Sequence, residues 1–184
     1  MKILKRYTND TIKRIKEFHD LKKDVYCEVI HGDSRTIDLI EELEKKDKNF
    51  AKLVKKNKIS GIFTSPPYVG QIDYHEQHAY AYELFEIERN DEMEIGPQSN
   101  GKSMSAKEKY VKGICDVLVN VRDLLKDDAD VFIVANDEYN LYPEIAEKSG
   151  YIIVEEFIRP VLHRTESDSS LYTEKIFRFR KKEE

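Results

Sequence analysis

Glycine and cysteine are scarce in this chain, long apolar runs are missing, and each shortage closes off a class of protein. Seven glycines are spread over 184 residues, and no G-x-G cluster follows a strand-like run. Only two cysteines occur, Cys27 and Cys115, in apolar-patterned segments without metal-ligand spacing. They read as reduced core residues of a cytoplasmic protein rather than as ligands. No apolar run approaches the ~20 residues that a membrane span requires, and Met1-Lys2-Ile3 does not begin a signal peptide. Internal repeats and low-complexity tracts are also absent. An excess of positive charge is missing too: the net charge is −5. The surface as a whole is therefore not built for nucleic acid, and any such contact needs a local basic patch or a partner.

What is present is enough apolar residue for a core, 40% against 36% charged, in a length that fits one soluble domain over residues 1–184. Apolar residues recur at helical spacing at Ile12, Ile15, Phe18 and Leu21, which predicts a helix over 9–23 capped by Asn9 or Asp10. Val25 to Ile30 reads as a strand followed by a turn at His31-Gly32-Asp33-Ser34, with Ser34 capping a helix through Leu43. The charged stretch 44–58 reads as helix reaching the surface. The stripe from Tyr110 to Leu125 predicts a helix over 106–125, with Lys126-Asp127-Asp128 as its exit turn. Asp130 to Ala135 is a near-continuous apolar strand of the kind covered on both faces. A short helix from Leu141 stops at Gly150, a strand follows over 151–159, and 163–171 is a polar loop. A closing strand over 175–180 puts Phe177 and Phe179 on one face and Ile176, Arg178 and Arg180 on the other. Strands alternating with helices predict an α/β fold with a mostly parallel sheet and helices on both faces.

The stretch Ile59-Ser60-Gly61-Ile62-Phe63-Thr64-Ser65-Pro66-Pro67-Tyr68 stands out within this order. Its apolar half reads as a buried strand, which must end at prolines that cannot donate to a ladder. Proline also keeps the residue before it extended, so Ser65 and Pro66 form a stiff tongue. That tongue carries a hydroxyl, two carbonyls and an aromatic ring at the carboxyl end of a strand, where open α/β sheets bind ligands. A plain Pro-Pro turn with a packing tyrosine accounts for the same residues.

Thr64-Ser65-Pro66-Pro67-Tyr68, with Gly32-Asp33 upstream, resembles the catalytic motif of the DNA amino-methyltransferases, from about residue 25 onward. The resemblance implies part of the Rossmann-like methyltransferase fold, S-adenosylmethionine as cofactor and DNA as partner, in a restriction-modification setting. The serine form resembles the cytosine-N4 branch more than the adenine-N6 branch. An exocyclic amine is a poor nucleophile because its lone pair is delocalised into the ring. Two preorganised acceptors can draw its hydrogens aside and aim the lone pair at the methyl group. By resemblance those acceptors are the Ser65 hydroxyl and the Pro66 carbonyl, with Pro67 holding the turn and Tyr68 stacking on a base extruded from the duplex. No covalent intermediate is required. Asp33 is the candidate for accepting hydrogen bonds from the cofactor's adenine or for holding the Pro-Pro loop, with a helix-capping turn aspartate as the competing reading. The family's glycine-rich cofactor turn and a target-recognition domain are both missing. Together these gaps imply the catalytic half of a split or truncated enzyme, with a second polypeptide supplying the rest. An adenine-N6 enzyme, an RNA or protein amine methyltransferase, and a non-catalytic subunit or remnant stay open.

Other residues are weaker candidates. Tyr74 and His75 open an aromatic-rich run to Phe85 that reads equally as a wall of a base pocket or as a packed helix face. His75 and His78 lack further ligands of fitting spacing, so no metal is expected. Arg159, His163, Arg164 and the basic end of the chain offer positive charge for phosphates. Asn136 and Asp137 read first as a turn at the same sheet edge.

Overall fold

The computed structural model describes residues 2–21, 25–160 and 173–182. The chain divides into two compact units, 1–30 and 31–184. The first holds helix α1 (Lys2–Leu21), none of whose residues is buried. This helix starts well before Asn9 and Asp10, which lie inside it rather than at its cap. The strand expected over 25–30 is not formed: these residues have no regular structure, and Val25, Tyr26 and Val29 are exposed. A strand exists only through hydrogen bonds to a neighbour, and none of the described strands pairs with this segment. Cys27 is correspondingly exposed, whereas Cys115 is buried as expected.

The second unit contains α2 (Leu39–Lys46), α3 (Lys48–Asn57), β1 (Ile59–Thr64), α4 (Tyr74–Gln77), α5 (Ala79–Phe85), α6 (Met104–Arg122), β2 (Leu125–Ala135), α7 (Tyr142–Ser149), β3 (Tyr151–Pro160) and β4 (Thr173–Lys181). The cap of α2 is Asp38, whose carboxylate accepts from the Ile40 and Glu41 amides at 2.9 Å; Ser34 lies in the turn before it. Asp47 caps α3 in the same way through the Asn49 and Phe50 amides. Lys126-Asp127-Asp128 belongs to β2 rather than to an exit turn, because a register shift in β1–β2 pairing lets the ladder run back to Leu125.

The sheet order is β1-β2-β4-β3. β1 and β2 are adjacent and parallel, as the apolar runs and the crossover helix predict. The other two pairings are antiparallel, so the sheet is mixed rather than mostly parallel. The last strand, β4, lies between β2 and β3 and runs against both. Val131, Ile133 and Ala135 of β2 pack with Phe177 and Phe179 of β4 against Tyr110, Ile114 and Leu118 of α6 and Tyr142 and Ile145 of α7. The opposite face carries Asp130 in ion pairs with Arg178 and Arg180, about a quarter to two fifths exposed. β1 is the sheet's edge, and Phe63 upon it is 76% exposed rather than buried. No helix among the described residues is long and apolar enough to cross a membrane.

Candidate active site

At the end of β1 the ladder meets two residues that have no N–H. The Ser65 hydroxyl supplies a donor instead, reaching the Val134 carbonyl of β2 at 3.2 Å. Its single hydrogen is thereby committed to the sheet, and the oxygen keeps lone pairs that no described residue uses. The next carbonyl, that of Pro66, accepts no hydrogen bond among the described residues, while that of Pro67 accepts from the Tyr110 hydroxyl at 2.9 Å. Tyr68 turns back across the sheet edge, donating its hydroxyl to the Glu174 carboxylate at 2.9 Å. The tongue therefore has three side-chain anchors on three elements and two oxygens left to accept.

Behind it lies a buried polar group. Tyr110 and Tyr142, 2% and 1% exposed, place their hydroxyl oxygens 2.9 Å apart. Burial pushes the Tyr110 phenol up to about 12 and Tyr142 well above its ordinary range, so both stay protonated donors. Asp137, after β2, accepts from the Leu141 amide at 2.6 Å and holds the start of α7. Desolvation raises its pKa against those amide bonds. Asp137 therefore serves the turn, which was its first reading.

Asp33 sits on the wall of a cleft of about 790 Å³ lined by His31 to Ser34, His75, His78, Tyr82, Met93 and Ile95 among others. Its carboxylate is gripped by Arg35, with the Nη2 contact at 2.7 Å and Nε contacts at 2.9 and 3.0 Å, and also accepts the Arg35 amide. Arg35 holds its carboxyl below the usual range. His75 faces this cleft with its Nδ1 2.5 Å from the Tyr82 hydroxyl. Tyr74, 39% exposed, has its amide bound to the Glu94 carboxylate and its ring stacked 6.5 Å from His78. The cleft wall joins the tongue's far end, because Gly96, next to Ile95, accepts the Gly70 amide at 2.9 Å. Among the described residues no three His, Cys, Asp or Glu side chains converge on a metal position.

Arg159 pairs with Glu174, the carboxylate that also holds Tyr68. It is thus tied to the site's scaffold with its side chain 58% exposed. Arg164 and His163 lie outside the described residues. The structure brings Ser65, Pro66, Pro67 and Tyr68 together at one sheet edge, and gathers Asp33, His75 and His78 around the cleft. Sequence reasoning missed Tyr110, Tyr142 and Glu174. A tyrosine on the apolar stripe of α6, read there only as packing, was the available signal for the first.

Compared with known proteins, the chain is 59% identical over 180 residues to the type II methyltransferase M.MjaII of Methanocaldococcus jannaschii. The match takes in 98% of this chain and 34% of that protein, so the chain spans about a third of the relative's length. Over that third the chain is a relative of a type II methyltransferase, as the motif at Thr64–Tyr68 indicated. No family model matches. Among solved structures, M1.HpyAVI in complex with SAM aligns with 85% of this chain and 54% of its own, at 13% identity and a TM-score of 0.41. The protein TTHA0409 of Thermus thermophilus aligns with 83% of this chain and 52% of its own, at 15% identity and a TM-score of 0.39. Likeness at that level carries no weight for the fold, which rests on the strand order itself.

Proposed function

We propose, from the kinship to a type II methyltransferase and the two uncommitted oxygens on the tongue, that this chain supplies the amine-binding part of an S-adenosylmethionine-dependent DNA methyltransferase. The target would be the exocyclic amine of an extruded base, cytosine N4 by the serine in the motif. The carrying observation is the direction of the Ser65 hydrogen bond. With its hydrogen spent on Val134, the oxygen can only accept from a ligand, and the Pro66 carbonyl can only accept as well. Two acceptors on a stiffened backbone suit an NH₂ group whose hydrogens must be drawn out of the ring plane. Tyr68, anchored through Glu174, offers a fixed ring on which the base can stack, worth roughly 1–3 kcal/mol per base.

S-adenosylmethionine, when bound, supplies the methyl group. The described residues do not make a whole site for it. Asp33 is already satisfied by Arg35, and no glycine-rich turn offers clustered amides. The donor is accordingly assigned to a second polypeptide or a further segment. The edge position of β1 and the exposure of Phe63 support completion of the sheet there. The negative net charge fits a protein whose DNA contacts come partly from that partner, in a reducing cytoplasm.

Ser65→Ala tests the reading. The variant should fold, losing about 1 kcal/mol for one hydrogen bond. Its methyl incorporation into DNA, measured with the completing polypeptide, should fall about 10²–10³-fold. Long-read modification mapping of the wild-type product distinguishes cytosine N4 from adenine N6. Unchanged incorporation by a folded Ser65→Ala protein would take Ser65 out of the chemistry, and a non-catalytic role would then lead.

A further inference from the structure

Two successive prolines leave the tongue without amides at 66 and 67, so its carbonyls must be oriented from outside. Tyr110 does this at one point only, donating to the Pro67 carbonyl at 2.9 Å. A phenol has one hydrogen, and a carbonyl can only accept. The 2.9 Å contact between the two phenols is therefore one in which Tyr142 donates to Tyr110. The order Tyr142 to Tyr110 to Pro67 runs from α7 through α6 to the tongue. Its inner end is immobilised: the Tyr142 ring stacks on Phe177, 4.8 Å between centroids and 12° between planes. Its outer end is wedged against Gly96, where a Cβ would come within 2.6 Å of the Tyr110 ring.

We infer that Tyr110 is a positioning residue, which draws the Pro67 carbonyl inward and so leaves the neighbouring Pro66 carbonyl outward to receive the amine. The inference rests on the proposed role of Pro66 as an acceptor. The proline ring locks φ at Pro67, so the Pro66 and Pro67 carbonyls turn together and fixing one restricts the other. Tyr142 acts only through Tyr110, by keeping its oxygen supplied and its hydrogen aimed at Pro67.

Tyr110→Phe and Tyr142→Phe separate this from a packing role, because each keeps its ring and loses one hydroxyl. Tyr110→Phe should lower kcat about 10- to 100-fold, the scale of a small misplacement of a catalytic group. KM for DNA should stay within about twofold, since the stacking ring of Tyr68 is untouched. Tyr142→Phe leaves the donor to Pro67 in place and should cost no more than about threefold in kcat. A second readout needs no activity. Hydrogen exchange at the Gly70 and Gln71 amides, which close the tongue through the Gly96 and Tyr68 carbonyls, should quicken in Tyr110→Phe and stay near wild type in Tyr142→Phe. Equal losses of kcat in both variants, in proportion to their melting temperatures, would overturn the inference. So would unchanged exchange in Tyr110→Phe. A wild-type protein that transfers no methyl group even with the completing polypeptide present would sink the proposed function instead, and the exchange data alone would then decide whether Tyr110 fixes the tongue.

Discussion

Gly96 offers a direct mechanical test of the site's framework. Its φ is +68°, and an added Cβ would lie 2.6 Å from Tyr110 Cδ2, 3.3 Å from Cε2 and 3.4 Å from the Val69 Cα. Two costs follow for Gly96→Ala. A left-handed backbone costs an L residue about 1–2 kcal/mol. The methyl group also collides with a ring that cannot retreat, being 2% exposed and bonded to Pro67 and Tyr142. Overpacking of that kind costs about 1–3 kcal/mol. Gly150→Ala is the control. Its φ is +78°, but its added methyl meets first the Arg122 side chain at 3.2 Å. Arg122 Nε has no partner among the described residues, so displacing it breaks no bond. Only the backbone cost applies there. The two variants should thus differ by about 1–3 kcal/mol, which for a chain of this length is roughly 2–12 °C in Tm, Gly96→Ala being the lower. Differential scanning calorimetry of both proteins measures this. Equal melting temperatures would mean that Tyr110 moves freely, and the immobilised phenol behind the tongue would have to be abandoned.

Two further outcomes are expected. Asp130, between Arg178 and Arg180, has its carboxyl held well below the ordinary range, chiefly by the Arg178 hydrogen bonds. A depressed folded value means stability that is present above the unfolded carboxylate pKa and lost as pH falls through the folded one. Asp130→Asn should therefore flatten the acid side of a Tm-against-pH series, and an unchanged acid limb would show that the pair is too well solvated to matter. Isothermal calorimetry of the chain alone should give weak or undetectable S-adenosylmethionine binding; tight stoichiometric binding would mean that this chain holds a complete cofactor site.

Much of the fold is legible where periodicity and punctuation agree. The helix expected over 106–125 appears as Met104–Arg122, Gly150 ends α7 as its residue type demands, and Ile59–Thr64 stops at the prolines. Legibility fails where an element depends on a partner rather than on its own residues. Val25 to Ile30 has a strand's composition and forms no strand. Phe63 has a core residue's character and lies exposed on an edge. The site shows the same division. The tongue announces itself by two prolines, whereas the phenols that hold it come from α6 and α7, 43 and 75 positions away from Pro67 by number. Local pattern carries no trace of such pairings. Asp33 was readable as a polar turn residue, but its capture by Arg35 depends on a side chain folding back over two positions.

The mixed sheet, which the sequence did not disclose, is what makes the site compact. β1 and β2 run the same way, so Ser65 and Asn136 leave the sheet at one edge. Had the last strand been parallel to them, its first residues would lie at the opposite edge. Because β4 is antiparallel, Lys175 pairs with Ala135, and Glu174 begins the strand where its neighbours end. That single reversal puts a carboxylate within 2.9 Å of the Tyr68 hydroxyl. The antiparallel β3 returns to the same level, bringing Arg159 opposite Glu174 to balance its charge. None of the groups offered outward is an acid or base near neutral pH: one is a hydroxyl, one a backbone carbonyl. Their usefulness rests on placement alone. Placement here is set by Val134, Tyr110 and Glu174, and two of those three contacts are made by residues whose only visible role in the sequence was to form a helix or a strand.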